Sequence, residues 1–141
     1  MRHSITKKLL FFFFFAIFTG LFFGCGKEEK EVSKVKDLEY TVLEESEVPA
    51  ELLEKIKEKK AQAFDMTYQS DGYLYIARGY GTQRTSGYSI SVLQLYEAVE
   101  GIVFSSELIG PKKEELVLQI ETCPYIVIKL QDIGLEVLNI P

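Results

Sequence analysis

Nucleophilic, acid–base and metal chemistry all need side chains that this sequence holds in short supply. It contains two cysteines, Cys25 and Cys123, and one histidine, His3. His3 precedes the uncharged apolar run Leu9–Phe23, in a segment with the form of a removable leader. The rest of the chain therefore has neither a Ser-His-Asp nor a Cys-His arrangement, and a histidine metal site is excluded with them. The carboxylate pairs Glu44-Glu45 and Glu114-Glu115 fall in turn-like segments, where adjacent like charges mean solvated surface. Gly79 and Gly81 do not open a Gly-x-Gly-x-x-Gly run into a helix, so no phosphate loop is expected. Cys123, before Pro124 at the head of an apolar strand, reads as a buried structural thiol. No enzyme activity, cofactor, metal or small-molecule substrate is expected.

Cys25 is the residue with chemistry to perform, and what precedes it says which. Arg2, Lys7 and Lys8 lead into the uncharged, mostly apolar run Leu9–Phe23, whose fifteen residues are too few for a span of about 20 and suited to a secretory leader. The sequence Leu21-Phe22-Phe23-Gly24-Cys25 resembles the bacterial lipobox, in which a small residue precedes a cysteine that is acylated, for example with palmitate, and becomes the new N-terminus. Phe22 and Phe23 stand where aliphatic and small residues are more usual. The expectation is a signal peptide over 1–24, lipidation at Cys25, and a lipid anchor in the cell membrane on its extracytoplasmic face.

Eight of the twelve residues Gly26–Asp37 are ionisable, with both signs mixed and no aromatic among them, so this stretch cannot bury enough surface to offset its ordering entropy. Residues 25–37 are expected to be a charged flexible tether. Without residues 1–24 the chain keeps 13 basic against 21 acidic residues, a net charge near −8, which excludes nucleic acid and electrostatic adhesion to anionic lipid. Membrane contact then rests on the anchor. With Cys25 acylated, Cys123 has no intramolecular disulfide partner.

Residues 38–141 form one small domain, and its alternation is mostly that of strands. Leu38–Leu43 is a short β-rich run, and Pro49 begins an amphipathic helix to about Gln62 with Leu52, Leu53 and Ile56 on one side. Phe64, Met66 and Tyr68 alternate with polar residues up to Asp71-Gly72, a type I′ hairpin signal, after which Tyr73–Ala77 resumes. A strand from Tyr88 to Tyr96 is central; its alternation breaks at Leu93, which requires either a bulge or cover on both faces. Further strands are expected over Ile102–Ile109, Leu116–Ile120, Tyr125–Gln131 and Leu135–Ile140. Short connections without crossover helices favour antiparallel pairing. The fold expected is mainly β, an α+β arrangement with an antiparallel sandwich-like or strongly curved sheet and one packed helix.

What these elements display is the segment Gly79–Val92, whose three glycines in nine residues shape a loop between two strands. Gly79, Gly81, Arg84, Thr85, Ser86, Gly87 and Tyr88 are the candidate interaction residues, with Arg84 facing solvent and Tyr88 packing its ring inward. The simpler reading gives Gly87 only a bulge and Tyr88 only core filling.

This loop, with Thr122, Pro124 and Tyr125 leading into the strand Ile126-Val127-Ile128-Lys129, resembles the C-terminal domain of the protease-complex subunit PrcB family over about Leu52–Ile140. Members have a glycine, a basic residue, Thr and Gly-Gly-Tyr before a central strand, and Thr-x-Pro-Tyr before a late one; here Thr85 stands where proline is common and Ser86 replaces the first glycine of the pair. The resemblance implies a non-catalytic lipoprotein, an accessory or interaction subunit of a cell-surface protease complex, whose partner is a protease or another surface protein. Thr85-Ser86-Gly87-Tyr88 is also similar to the loop by which chagasin-type β-sandwich inhibitors enter papain-like proteases, although the Arg-Pro-Trp element of those inhibitors has no counterpart. That similarity implies the alternative, a protease inhibitor.

Overall fold

Short runs of β-branched and aromatic residues, punctuated by turn residues, produce the strands β1 (Lys34–Asp37), β2 (Thr41–Val42), β3 (Ala63–Ser70), β4 (Tyr73–Tyr80), β5 (Ser89–Ala98), β6 (Gly101–Ile109), β7 (Tyr125–Gln131) and β8 (Val137–Asn139), with helix α1 (Ala50–Lys59) before β3. These are the elements of a computed structural model that describes residues 32–139. The leader, Cys25 and the first part of the expected tether lie outside the described residues.

The strands form two sheets, β1-β5-β6-β8 and β2-β7-β4-β3. Asp71 and Gly72 take φ of 52° and 77°, as a type I′ turn demands, and β3 pairs with β4 without a break from Ala63–Tyr80 to Ser70–Tyr73. One core lies between the sheets: Leu74, Ile76, Ile126, Ile128 and Leu130 meet Leu95, Ile102 and Phe104. A second lies under α1, where Leu52 and Ile56 pack on Tyr75, Ala77 and Val127. Successive residues of β4 and β7 thus point into different cores, which explains their unbroken apolar runs. Each fully buried Leu, Ile or Phe contributes about 1.5–3 kcal/mol of transfer free energy. Polar contacts cross the gap as well. The hydroxyls of Tyr80 and Ser106 lie 2.7 Å apart, and the Arg78 guanidinium stacks 4.9 Å from the centre of the Phe104 ring while pairing with Asp65.

The expected mainly β, sandwich-like fold with one packed helix is what the chain forms, and its details can be compared one by one. Pro49 is the cap before α1, and the helix stops at Lys59, since the turn at 60–62 must redirect the chain into β3. Within Leu38–Leu43 only Thr41–Val42 is strand, paired with Lys129 and Ile128. Residues 34–37, read as tether, are strand β1: their side chains stay exposed, but their backbone pairs with β5, helped by Lys36–Glu97 at 3.3 Å and Lys34 over the Tyr96 ring. The broken alternation in β5 is a bulge, located where the register with β6 shifts between Val92 and Gln94. β8 lies parallel to β6, because β7, in the opposite sheet, serves as the return path that a helix usually supplies.

Leu116–Ile120 is not a strand. Four of its five residues are apolar, but no neighbouring strand among the described residues takes up the backbone, and Leu116, Leu118 and Ile120 are 101%, 65% and 52% exposed.

Candidate functional site

Two loops leave the same end of the sandwich, residues 81–88 between β4 and β5 and residues 110–124 between β6 and β7. Backbone groups at a sheet end lack ladder partners, and here each loop satisfies the other. Gln83 N–H donates to Thr122 O at 2.7 Å, and Thr122 N–H returns the bond to Gln83 O at 3.0 Å. Thr122 Oγ1 donates to Thr85 O at 2.8 Å. Ser86 N–H donates to Leu118 O at 3.0 Å, while Leu118 N–H donates to Ser86 Oγ at 2.9 Å. Tyr80 N–H, at the end of β4, is taken by Pro124 O at 3.0 Å. The result is one stitched lobe.

Glycine matters at two of the expected positions for different reasons. Gly79 is extended, but a Cβ there would sit 2.6 Å from Phe64 Cδ1, so the ring occupies the space a side chain would need. Gly87 has φ of +89°, and its Cβ would also meet Val117 Cγ1 at 2.9 Å and Pro111 Cβ at 3.0 Å. The bare backbone at 87 is where the second loop closes on the first. Gly81, with φ of +73°, is buried at the exit of β4.

The structure therefore brings Thr85, Ser86 and Gly87 together with Thr122 and places Arg84 exposed beside them. Tyr88 differs from expectation. Its ring is half-buried and belongs to neither core, because the inward face of β5 begins at Ile90 and position 88 lies beyond the end of the strand. Tyr125 starts β7 on the helix side, where its hydroxyl donates to Glu45 Oε2 at 3.3 Å; burial, then the charge and hydrogen bond of Glu45, raise its pKa above 10.0. Cys123 is half-buried, with Sγ 3.6 Å from Thr82 Oγ1, rather than enclosed.

Sequence reasoning missed the outer half of the lobe. Leu116–Ile120 is expected as a strand, and an apolar, β-rich run alone does not distinguish an inward row from an exposed one. The turn before them is self-capped: Lys112 N–H donates to Glu115 Oε2 at 3.1 Å and Glu115 N–H to Lys112 O at 3.0 Å. Among the described residues no group of three His, Cys, Asp or Glu is positioned to hold a metal ion.

Neither the curated proteins nor the solved structures give a match to this chain. Residues 74–131 match the family model described as PrcB C-terminal, a span that takes in β4 to β7 and both loops of the lobe. Over that span, less than half of its length, the chain is similar to the PrcB C-terminal family.

Proposed function

We propose that this chain is a non-catalytic, membrane-anchored accessory subunit that docks a protein partner on its lobe, in the setting of a cell-surface protease complex. The observation that carries the reading is the lobe's construction. Two loops tied by five mutual hydrogen bonds hold three large apolar side chains, Leu116, Leu118 and Ile120, out in solvent with Arg84 nearby. Pre-ordered apolar surface of this kind binds without first having to order a loop, and an arginine at its margin adds directional hydrogen bonds.

Connectivity supports the anchor reading. The chain enters the described domain at the opposite end from the lobe, where Val99 N–H donates to Ser33 O at 3.2 Å beside the β5–β6 turn. A lipid on Cys25 attaches the domain by that end, and the ten residues of β5 separate it from the lobe by roughly 33 Å. The location that goes with this reading is the extracytoplasmic face of the cell membrane.

The test is a pull-down from solubilised membranes with the tagged full chain, beside Cys25→Ser. A co-purifying protease is expected with the native chain, and labelled fatty acid should enter the native chain and not the variant. Recovery of no surface protein contradicts the docking role, and label in Cys25→Ser contradicts the anchor. Inhibition of a papain-like protease by the protein supports the alternative, chagasin-like use of Thr85–Tyr88.

A further inference from the structure

The outer strands of the two sheets are not protected alike. β1 is four residues long, carries Lys34 and Lys36 and has a register shift between them; β2 has two residues and β8 three. Short length, lysine and bulges are the usual means of keeping an edge from pairing. β3 has none of them. It runs eight residues in unbroken register, contains neither Pro nor Lys, and its one charge, Asp65, is neutralised within the chain by Arg78.

The Asp71-Gly72 turn determines which groups that edge offers. The turn's closing bond joins Ser70 C=O to Tyr73 N–H, so by alternation Ser70, Tyr68, Met66 and Phe64 direct their backbone groups to β4. Gln69, Thr67, Asp65 and Ala63 direct theirs outward. The side chains of Asp65, Thr67 and Gln69 line a cleft of about 510 Å³, which leaves the edge open on that face.

We propose that β3 pairs antiparallel with β3 of a second copy of this chain, about a two-fold axis near Met66 and Thr67, joining two four-stranded sheets into one of eight strands. Helix α1 identifies the occupant. It runs antiparallel to β3 on the outer face, since Tyr68 Oη donates to Glu51 Oε2 at 2.9 Å and Lys55 Nζ lies 5.9 Å from the Tyr68 ring centre, while the helix C-terminus leads directly into Ala63. The first half of α1 carries Glu51 and Glu54; the second half and its cap carry Lys55, Lys57, Lys59 and Lys60 against Glu58 alone. A two-fold axis lays the acidic half of one helix beside the basic half of the other. With strands about 4.8 Å apart and α1 centred over β4, between β3 and β7, the two helices come roughly 14 Å apart, within reach of paired long charged side chains and too far for a clash. Thr67 opposes Thr67 and Asp65 opposes Gln69 in the register centred on Thr67, so no like charges meet in the ladder. This surface is independent of the lobe and of what the lobe binds.

The experiment measures the mass of the full chain in detergent, with oxidative cross-linking of Thr67→Cys and, as a control on the other sheet, Ser89→Cys, both in a Cys123→Ser background. A dimeric native chain and a covalent dimer through position 67, with none through 89, are expected. Thr67→Pro removes an outward N–H and leaves the β3–β4 ladder whole, so it should give a monomer with an unchanged melting temperature. If that variant fails to fold, Thr67→Lys, which opposes two like charges at the axis, should give the monomer instead. A monomeric native chain overturns the proposal, as does a dimer that survives these substitutions or cross-links equally at 67 and 89.

Discussion

The paired strands β4 and β7 and the lobe draw on the same apolar residue types and are held together by different forces. In β4 and β7, Leu74, Ile76, Ile126 and Ile128 face one core while Tyr75, Ala77 and Val127 face the other, and all are 7% exposed or less. In the lobe, Leu116, Leu118 and Ile120 face solvent, and the shape is set by hydrogen bonds between loops. Apolar burial scales with area and makes the first region the seat of stability. Hydrogen bonds exchanged with water add little net energy per bond, so they give the second region its geometry at small thermodynamic cost. The same substitution, a large apolar residue to a small one, should therefore unfold one region and disarm the other.

The largest effect is expected at Phe104, fully buried between the sheets beneath the Arg78 guanidinium. Phe104→Ala should lower stability by about 3–5 kcal/mol in a denaturant titration. A loss under 1 kcal/mol would mean that the two sheets are not closed over it. Gly79→Ala comes next. It drives a methyl into the Phe64 ring and should cost about 1–3 kcal/mol, much of it recovered in the double variant with Phe64→Ala, whereas additive losses would place the strain elsewhere.

In the lobe, Thr122→Val removes the bond to Thr85 O while keeping the side chain's shape. A loss of about 1 kcal/mol is expected, with a larger proportional loss of partner binding than of stability. The smallest effect belongs to Tyr125, where the regions meet. Its raised pKa means that the neutral phenol is favoured in the folded state, so its contribution is fully present below pH 10 and is lost as pH rises through the elevated pKa. Tyr125→Phe should flatten the fall in melting temperature above pH 10 and leave neutral pH nearly unchanged. An identical alkaline slope in both proteins would remove Glu45 and burial as its cause.

The two regions were not equally legible in the sequence. Asp71-Gly72, the alternation of Phe64–Tyr68 and the unbroken apolar run of β4 reveal the hairpin and its covered strand, because turn chemistry and period-2 patterning are local. The bulge at Leu93 showed itself as broken alternation. Residues 34–37 looked like tether because β1 is held by its backbone and two charged contacts, none of which depends on apolar composition. The loop 81–88 was legible from its glycines, but its partner was not: the bonds of Thr122 to Gln83 and Thr85, and of Ser86 to Leu118, join residues more than thirty positions apart. Leu116, Leu118 and Ile120 belong to a run with a strand's composition, and their exposure, with no neighbouring strand among the described residues, shows that they are surface.

The central claim, that the lobe is a recognition surface, is tested most directly by the quadruple variant Leu116→Ser, Leu118→Ser, Ile120→Ser, Arg84→Ala. Its thermal melt is measured beside its capture of the protein recovered with the native chain. A stability change of about ±0.5 kcal/mol per substitution, the range of ordinary surface changes, is expected together with loss of capture. A variant that melts several degrees lower yet still captures the partner would contradict it, and would make the lobe part of the fold's support.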